Sequence, residues 1–180
     1  MTRYLFVASA LTVFLTRAWP ADGPYEKWLN EDVVYIVTGE EREAWSHLAT
    51  DQQRELFVQR FWSRRDPTPG TLANEFQEEH YRRIAYANAR YATTAPGWQT
   101  DRGRIYIVYG PPDEVESHPS GTYRRPPEQG GGATSTYPFE IWRYRAAGVT
   151  FEFIDPNVQA RVVMRNAASN ANLTAPPGTK

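Results

Sequence analysis

The chain contains no cysteine, which excludes a disulfide framework, a thiol nucleophile and the lipidated cysteine of bacterial lipoproteins. Histidine is scarce: His47, His80 and His118 stand far apart, and no His-Glu-x-x-His cluster is present. A histidine-based metal centre is therefore not expected. Glu75, Glu79 and His80 share one segment, which reads as a solvated edge beside a partly buried histidine. There is no Gly-x-Ser-x-Gly elbow for a hydrolase serine. Gly130, Gly131 and Gly132 neither follow a strand nor open a helix, so they do not form a phosphate loop. Lysine occurs only as Lys27 and Lys180. No apolar run approaches the ~20 residues that cross a bilayer.

The longest uncharged apolar run, Tyr4 to Leu15, follows a short basic start at Met1 to Arg3. That layout predicts a cleavable export signal over residues 1 to 21, with small-residue exits after Ala18 and Ala21. Cleavage would leave no stable membrane span, and the expected address is the periplasm, the cell envelope or the medium. Loss of Arg3 and Arg17 moves the formal charge from −1 to −3, which disfavours nucleic acid and membrane phosphates as partners. What remains is long enough to bury a core without staples. It is rich in Trp and Tyr, and its many arginines are expected over aromatic faces or beside carboxylates.

Helical spacing dominates the first half. Tyr25, Trp28, Leu29, Val33, Ile36 and Val37 recur at that period, despite β-branching late in the run. Thr38 with Glu41, and Thr50 with Gln53, are capping-box pairs. They open helices whose buried stripes are Ala44, Trp45 and Leu48, then Leu56, Phe57 and Phe61. Asp66 to Gly70 breaks the pattern with two prolines, and an Arg65–Asp66 ion pair is expected to close that turn. A further helix is predicted from about Asn74 to Tyr91, with Phe76, His80, Ile84 and Tyr91 inward and Arg82 and Arg83 outward.

After Pro96 the period changes. Arg104 to Tyr109 reads as a strand ended by Gly110, Pro111 and Pro112, and Ser117 to Thr136 reads as a mobile loop. Phe139 to Tyr144 and Val149 to Ile154 form a hairpin across Ala146, Ala147 and Gly148. Arg161 to Met164 adds a short strand, and residues 166 to 180 read as a disordered tail. The expected fold is α+β, with a helical half (22–95) packed on a small antiparallel sheet from the C-terminal half (96–165). Trp45, Phe57, Phe61, Trp62, Phe76, Trp98 and Trp142 are expected at the joint.

The run Gly97, Trp98, Gln99, Thr100, Asp101, continuing through Arg102 to Asp113, resembles the signature of the GWxTD domain family, exported bacterial proteins without an assigned function. The resemblance extends back through Phe61, Trp62, Arg65, Asp66, Pro67, Asn74 and Glu75 and forward to Phe139 to Tyr144. It implies a fold and an exported address, and no activity, cofactor or catalytic residue. The order strand, Gly-Pro-Pro-Asp, loop, Glu-x-Trp-x-Tyr and hairpin is also similar to small lipoproteins that assist outer-membrane assembly, although their lipidated cysteine is missing here.

Candidate binding residues are Trp98, Asp101, Arg102, Asp113, Glu114 and Glu140. Trp98 to Arg104 crowds a ring, a hydroxyl, a carboxylate and guanidinium groups into one connection, which suits either recognition or a hydrogen-bonded turn with Trp98 as its plug. Asp113 and Glu114 lie beyond a rigid turn, where loops held by a scaffold often bind. The arginine pairs 64–65, 82–83 and 124–125 are expected to be offset by nearby acids. No cofactor is expected. The function that follows is a non-catalytic module binding an envelope protein or peptide through a sheet edge or the loop. The alternatives are an envelope hydrolase with a carboxylate pair drawn from Asp101, Asp113, Glu114 and Glu140, and a structural subunit of an envelope assembly.

Overall fold

The computed structural model describes residues 23–124, 126–155 and 163–164. The expected signal segment, the first half of the last predicted strand and the tail fall outside them. Chain order is α1 (Pro24–Lys27), a π-helical turn (Trp28–Asp32), α2 (Gly39–Ser46), α3 (Asp51–Ser63), α4 (Glu75–Tyr91), a 3₁₀ turn (Gly97–Gln99) and α5 (Asp101–Tyr109). The strands follow as β1 (Glu114–His118), β2 (Gly121–Arg124), β3 (Ala133–Thr136), β4 (Phe139–Tyr144), β5 (Val149–Ile154) and β6 (Val163–Met164). The fold is α+β. One antiparallel sheet has the order β1-β4-β5-β6, and β2 pairs with β3 in a separate hairpin.

Both capping boxes form. Thr38 Oγ1 accepts the Glu41 N–H at 3.1 Å while the Glu41 carboxylate accepts the Thr38 N–H at 3.0 Å. Thr50 and Gln53 make the same exchange at 3.3 and 3.1 Å, so two free amides at each helix start are satisfied. At α4, Asn74 Oδ1 caps the Gln77 N–H and its amide donates to Trp62 O, tying α4 to the end of α3. In the buried stripes Trp45 and Phe61 are covered, whereas Ala44 and Leu56 are exposed. The expected first helix is a single α-turn continued as a π-turn, in which Val33 N–H reaches Trp28 O.

One expected pairing and one expected orientation are corrected. Arg65 does not bind Asp66; its buried guanidinium makes two bonds to the Glu41 carboxylate, at 2.9 and 2.8 Å, and lies 3.6 Å over the Phe61 ring. Asp66 instead accepts the Thr68 N–H and shapes the proline turn. Arg83 does not face outward. Half-buried, it bonds Glu79 at 2.9 Å and donates to the carbonyls of Ile107 and Val108 at the end of α5, where a cation meets the negative end of the helix dipole. Of the arginine pairs, Arg64 is offset by Glu41 and Arg82 by Glu79, while Arg125 lies outside the described residues.

The largest departure is Arg104–Tyr109, which is helix and not strand. Six residues are too few for periodicity to separate a buried helix from a buried strand, and local caps decide. Thr100 Oγ1 accepts the Gly103 N–H at 3.1 Å at one end. Gly110, at φ 80°, stops the helix at the other, ahead of two prolines. The Gly-Pro-Pro turn therefore ends a helix, and the strand in the second similarity noted above is absent. The predicted loop Ser117 to Thr136 is also corrected, since it contains the end of β1, then β2, a 3₁₀ turn (Pro127–Gln129) and β3. Its short β-forming runs, Thr122 to Arg124 and Ala133 to Thr136, pair across the glycines that made it read as slack.

Among the described residues the core consists of two clusters. Trp28, Val33, Trp45, Phe61 and Trp62 form one among the N-terminal helices; Tyr91, Ile105, Trp142, Tyr144, Phe151 and Phe153 form the other between α4, α5 and the sheet. The aromatic residues expected at a common joint are thus divided, Trp98 and Trp142 belonging with the second cluster and Trp45, Phe57, Phe61, Trp62 and Phe76 with the first. The clusters are tied by Tyr35, whose hydroxyl donates to Trp98 O at 2.9 Å, and by Arg83. Buried His80 donates Nε2–H to Asp32 O within the first cluster. Burial holds its pKa below the usual value, so the ring is the neutral donor.

Gly97 and Gly103 set the approach of α4 to α5. A Cβ on Gly97 would lie 1.9 Å from Ala87 O, and one on Gly103 would lie 1.8 Å from Gly97 O. Gly97→Ala is expected to cost about 3 kcal/mol, because the obstructing atoms are backbone. Tm should drop by about 6–12 °C for a chain of this size, whereas Gly39→Ala, with nothing within 4 Å, should stay within about 0.5 kcal/mol. Calorimetry of the two variants is the check, and equal melting would refute the packing argument.

Burial pushes the Glu41 carboxyl up, but bonds from Arg65, the Thr38 amide and Arg64 outweigh it and leave the pKa below 4.5. A depressed carboxylate stabilises the fold above its unfolded value and loses that contribution as pH falls through the folded pKa. Glu41→Gln should therefore lose about 2 kcal/mol at neutral pH. It should also show a shallower fall in urea midpoint than the unsubstituted chain between about pH 5 and pH 3. Parallel curves for the two proteins would contradict this assignment.

Candidate functional site

The six expected binding residues separate into three places. Trp98 and Asp101 belong to the turn between α4 and α5, not to a connection between helix and strand. Trp98 N–H donates to Asn88 Oδ1 at 3.0 Å, its carbonyl accepts from Tyr35, and its half-buried ring packs at a tilt against Tyr35 with centroids 6.2 Å apart. Thr100 Oγ1 donates to Gly97 O at 2.7 Å. Asp101 opens α5 and pairs with Arg104 at 3.3 Å, one turn on. Trp98 N–H and Thr100 thus bind within the turn and to α4, and Asp101 pairs within α5, where the glycines allow the two helices to touch.

Arg102 and Glu140 are brought together across 38 residues of sequence. Arg102 lies 5.4 Å from the Tyr91 ring centre and donates to Glu140 at 3.2 Å. The other Glu140 oxygen accepts from Trp142 Nε1 at 3.1 Å. This pair sits on the core face of the sheet, where Ser117 of β1 is the register partner of Glu140.

Asp113 and Glu114 begin β1. Asp113 Oδ2 accepts the Arg145 N–H at 2.6 Å, pinning the strand start to the β4–β5 turn. Glu114 pairs with Arg143 at 2.7 Å and with Arg145 at 3.5 Å, and Arg143 also bonds Glu116 at 2.6 Å. Glu116 in turn contacts His118, whose ring stacks on Phe139 with centroids 4.4 Å apart. The bonds from Arg143 and then His118 hold the Glu116 carboxyl below the usual carboxylate value. Glu114, Glu116 and His118 therefore share the outer face of the sheet, and Val115 and Ser117 share the core face.

Among the described residues β1 pairs only with β4, so one of its edges is open. Val115 is 51 % exposed there. At the C-terminal end of the strand lies a cavity of about 400 Å³, walled by Arg102, Ser117, His118, Phe139, Phe153 and Asp155. A larger groove of about 680 Å³ separates the helices from the β4–β5 turn. Its two guanidinium groups, Arg65 and Arg83, are already bound to Glu41 and Glu79.

Val115, Glu116, Ser117, His118 and Arg143 were not singled out as site residues by sequence. The available signal was the alternation in Glu-Val-Glu-Ser-His, obscured by the glycine- and proline-rich residues that follow. The carboxylates considered for hydrolysis lie in separate bonding clusters: Asp101 with Arg104, Glu140 with Arg102 and Trp142, and Asp113 and Glu114 with the turn after β4. Among the described residues, no helix is long and apolar enough to cross a membrane.

The family model of the GWxTD domain matches residues 7–154. No curated protein and no solved structure matches the chain. The match takes in the signature turn, both helices it joins and strands β1 to β5, and by it the chain belongs to the GWxTD domain family.

Proposed function

We propose that the protein is a non-catalytic interaction module, exported to the cell envelope, that binds an extended segment of a protein partner along the open edge of β1. The observation that carries this reading is the edge itself. A strand with one side unpaired presents a row of backbone donors and acceptors that another chain can complete, and here it carries a half-exposed valine. Soluble proteins commonly blunt such an edge with lysine or proline. Glu114–His118 contains neither, and its two edge charges, Glu114 and Glu116, are paired with Arg143 and Arg145. The export part of the reading rests on the basic start and apolar run of residues 1 to 15.

The signature turn supports the same reading indirectly. Its bonds are made within the turn, within α5 and to Asn88 of α4, the two helices that carry the core face of the sheet. A rigid platform under an open edge lowers the ordering cost of adding a strand.

A photoreactive residue in place of Val115 should capture discrete protein species in cells, and one in place of exposed Thr150, on the interior strand β5, should not. Capture at both positions alike, or of glycan fragments alone, would remove the support for edge binding.

A further inference from the structure

A histidine ring has two nitrogens, and the fold uses one of His80's. The residue is 4 % exposed, and its ring contacts Phe76, nearly parallel at 6.4 Å, and Trp62 at 5.6 Å. Nε2–H goes to Asp32 O at 2.6 Å, which leaves Nδ1 of the neutral ring as an acceptor. Among the described residues Nδ1 has no partner. Nor is it one of the buried side-chain atoms left unbonded, which are Trp28 Nε1, Arg54 Nε and Arg104 Nε. It is therefore in reach of solvent, and His80 meets solvent at the wall of the large groove.

The geometry points to this groove, between the helices and the β4–β5 turn, as a binding site for an uncharged aromatic molecule that carries an O–H or N–H group. The site is separate from the open edge of β1 and does not depend on strand addition there. At about 680 Å³ the groove has the size of a small-molecule pocket. It lies where the two core clusters meet: Ile36 and Phe76 belong to the first, Ile107, Tyr109 and Tyr144 to the second. Rings from both clusters thus face the same space, and a flat ring packs well against such walls.

The charged groups at the groove are already supplied with partners. Arg65 is bound to Glu41, and Arg83 to Glu79 and the carbonyls that end α5. Asp113 accepts the Arg145 amide. Glu75 is exposed on the first turn of α4, where the positive end of the helix dipole meets it. An ion leaving water for this groove would find no counter-charge waiting, so a neutral ligand is favoured over either sign. Two polar groups remain unengaged. One is His80 Nδ1, an acceptor. The other is the Tyr109 hydroxyl, half-buried and without a bond among the described residues. Burial alone raises its pKa, so it stays protonated at neutral pH. A ligand O–H or N–H would donate to Nδ1, and its oxygen or ring face is left to Tyr109.

The test is equilibrium dialysis of the full chain with three probes of one ring system: naphthol, methoxynaphthalene, which lacks the donor, and naphthoate, which is charged. Naphthol should bind saturably, and methoxynaphthalene should bind about three- to tenfold more weakly. Naphthoate should be weaker by about tenfold or more. Naphthol should also move the nitrogen resonance of His80 Nδ1 in the direction of an accepted hydrogen bond, a signal that packing alone would not produce. Ala146→Phe, at an exposed position on the groove wall, should weaken naphthol about tenfold by occupying its space. Tyr109→Phe should weaken it about threefold. Circular dichroism of both variants establishes that they fold. Naphthol binding unchanged by Ala146→Phe would overturn the site. Equal binding of methoxynaphthalene would overturn the hydrogen-bond assignment, equal binding of naphthoate the preference for a neutral ligand, and no saturable binding of naphthol the inference as a whole.

Discussion

Backbone contact between the end of α4 and the start of α5 is the constraint on which the rest of the structure depends. At Gly97 and Gly103 the chain passes so close to Ala87 and to itself that no side chain can stand between. That closeness lets Thr100 cap α5 and hold Gly97 O together, and lets Trp98 reach Asn88 and Tyr35. Moving the helices apart by the width of a methyl group would break these bonds together. It would also lift Ile105 and Tyr91 from the aromatic face of the sheet, where the second core cluster forms. The crowd of polar groups in this turn is thus explained by packing.

Charged groups perform much of the remaining joining. Arg65 links the end of α3 to the cap of α2 through Glu41 and Ile36 O, and Arg83 links α4 to the last carbonyls of α5. Both are substantially buried, and both are bonded to a carboxylate and to backbone, the condition under which a buried guanidinium is tolerated. Arginine suits these places because its planar fork reaches a carboxylate and a carbonyl at once. The same two residues line the large groove, and their engagement there is why that groove reads as a seam between elements.

Binding, on the reading proposed above, then falls to the side of the sheet where packing stops. The helices cover β4 and β5 through Tyr91, Tyr109 and Arg102, while β1 stands at the margin with a half-exposed valine. Its outer face is kept in order by the chain of contacts from Arg143 through Glu116 to His118 and Phe139. An edge whose side chains are ordered in this way is suited to adding a strand.

Local chemistry was enough to fix several elements from sequence alone: the two capping boxes, the proline break after α3, helix α4, and the β4–β5 hairpin with Gly148 at φ 64°. Each of these is decided by residues within a few positions of one another. Three other features depended on tertiary contacts as well. Residues 104 to 109 are helical because Thr100, Gly110 and Arg83 satisfy the ends of a run that is buried on most sides. Arg65 chooses Glu41 over its neighbour Asp66 because the fold brings a doubly bonded partner from 24 residues away. The two faces of β1 are assigned by its register with β4, a pairing across more than 20 residues that no local pattern specifies.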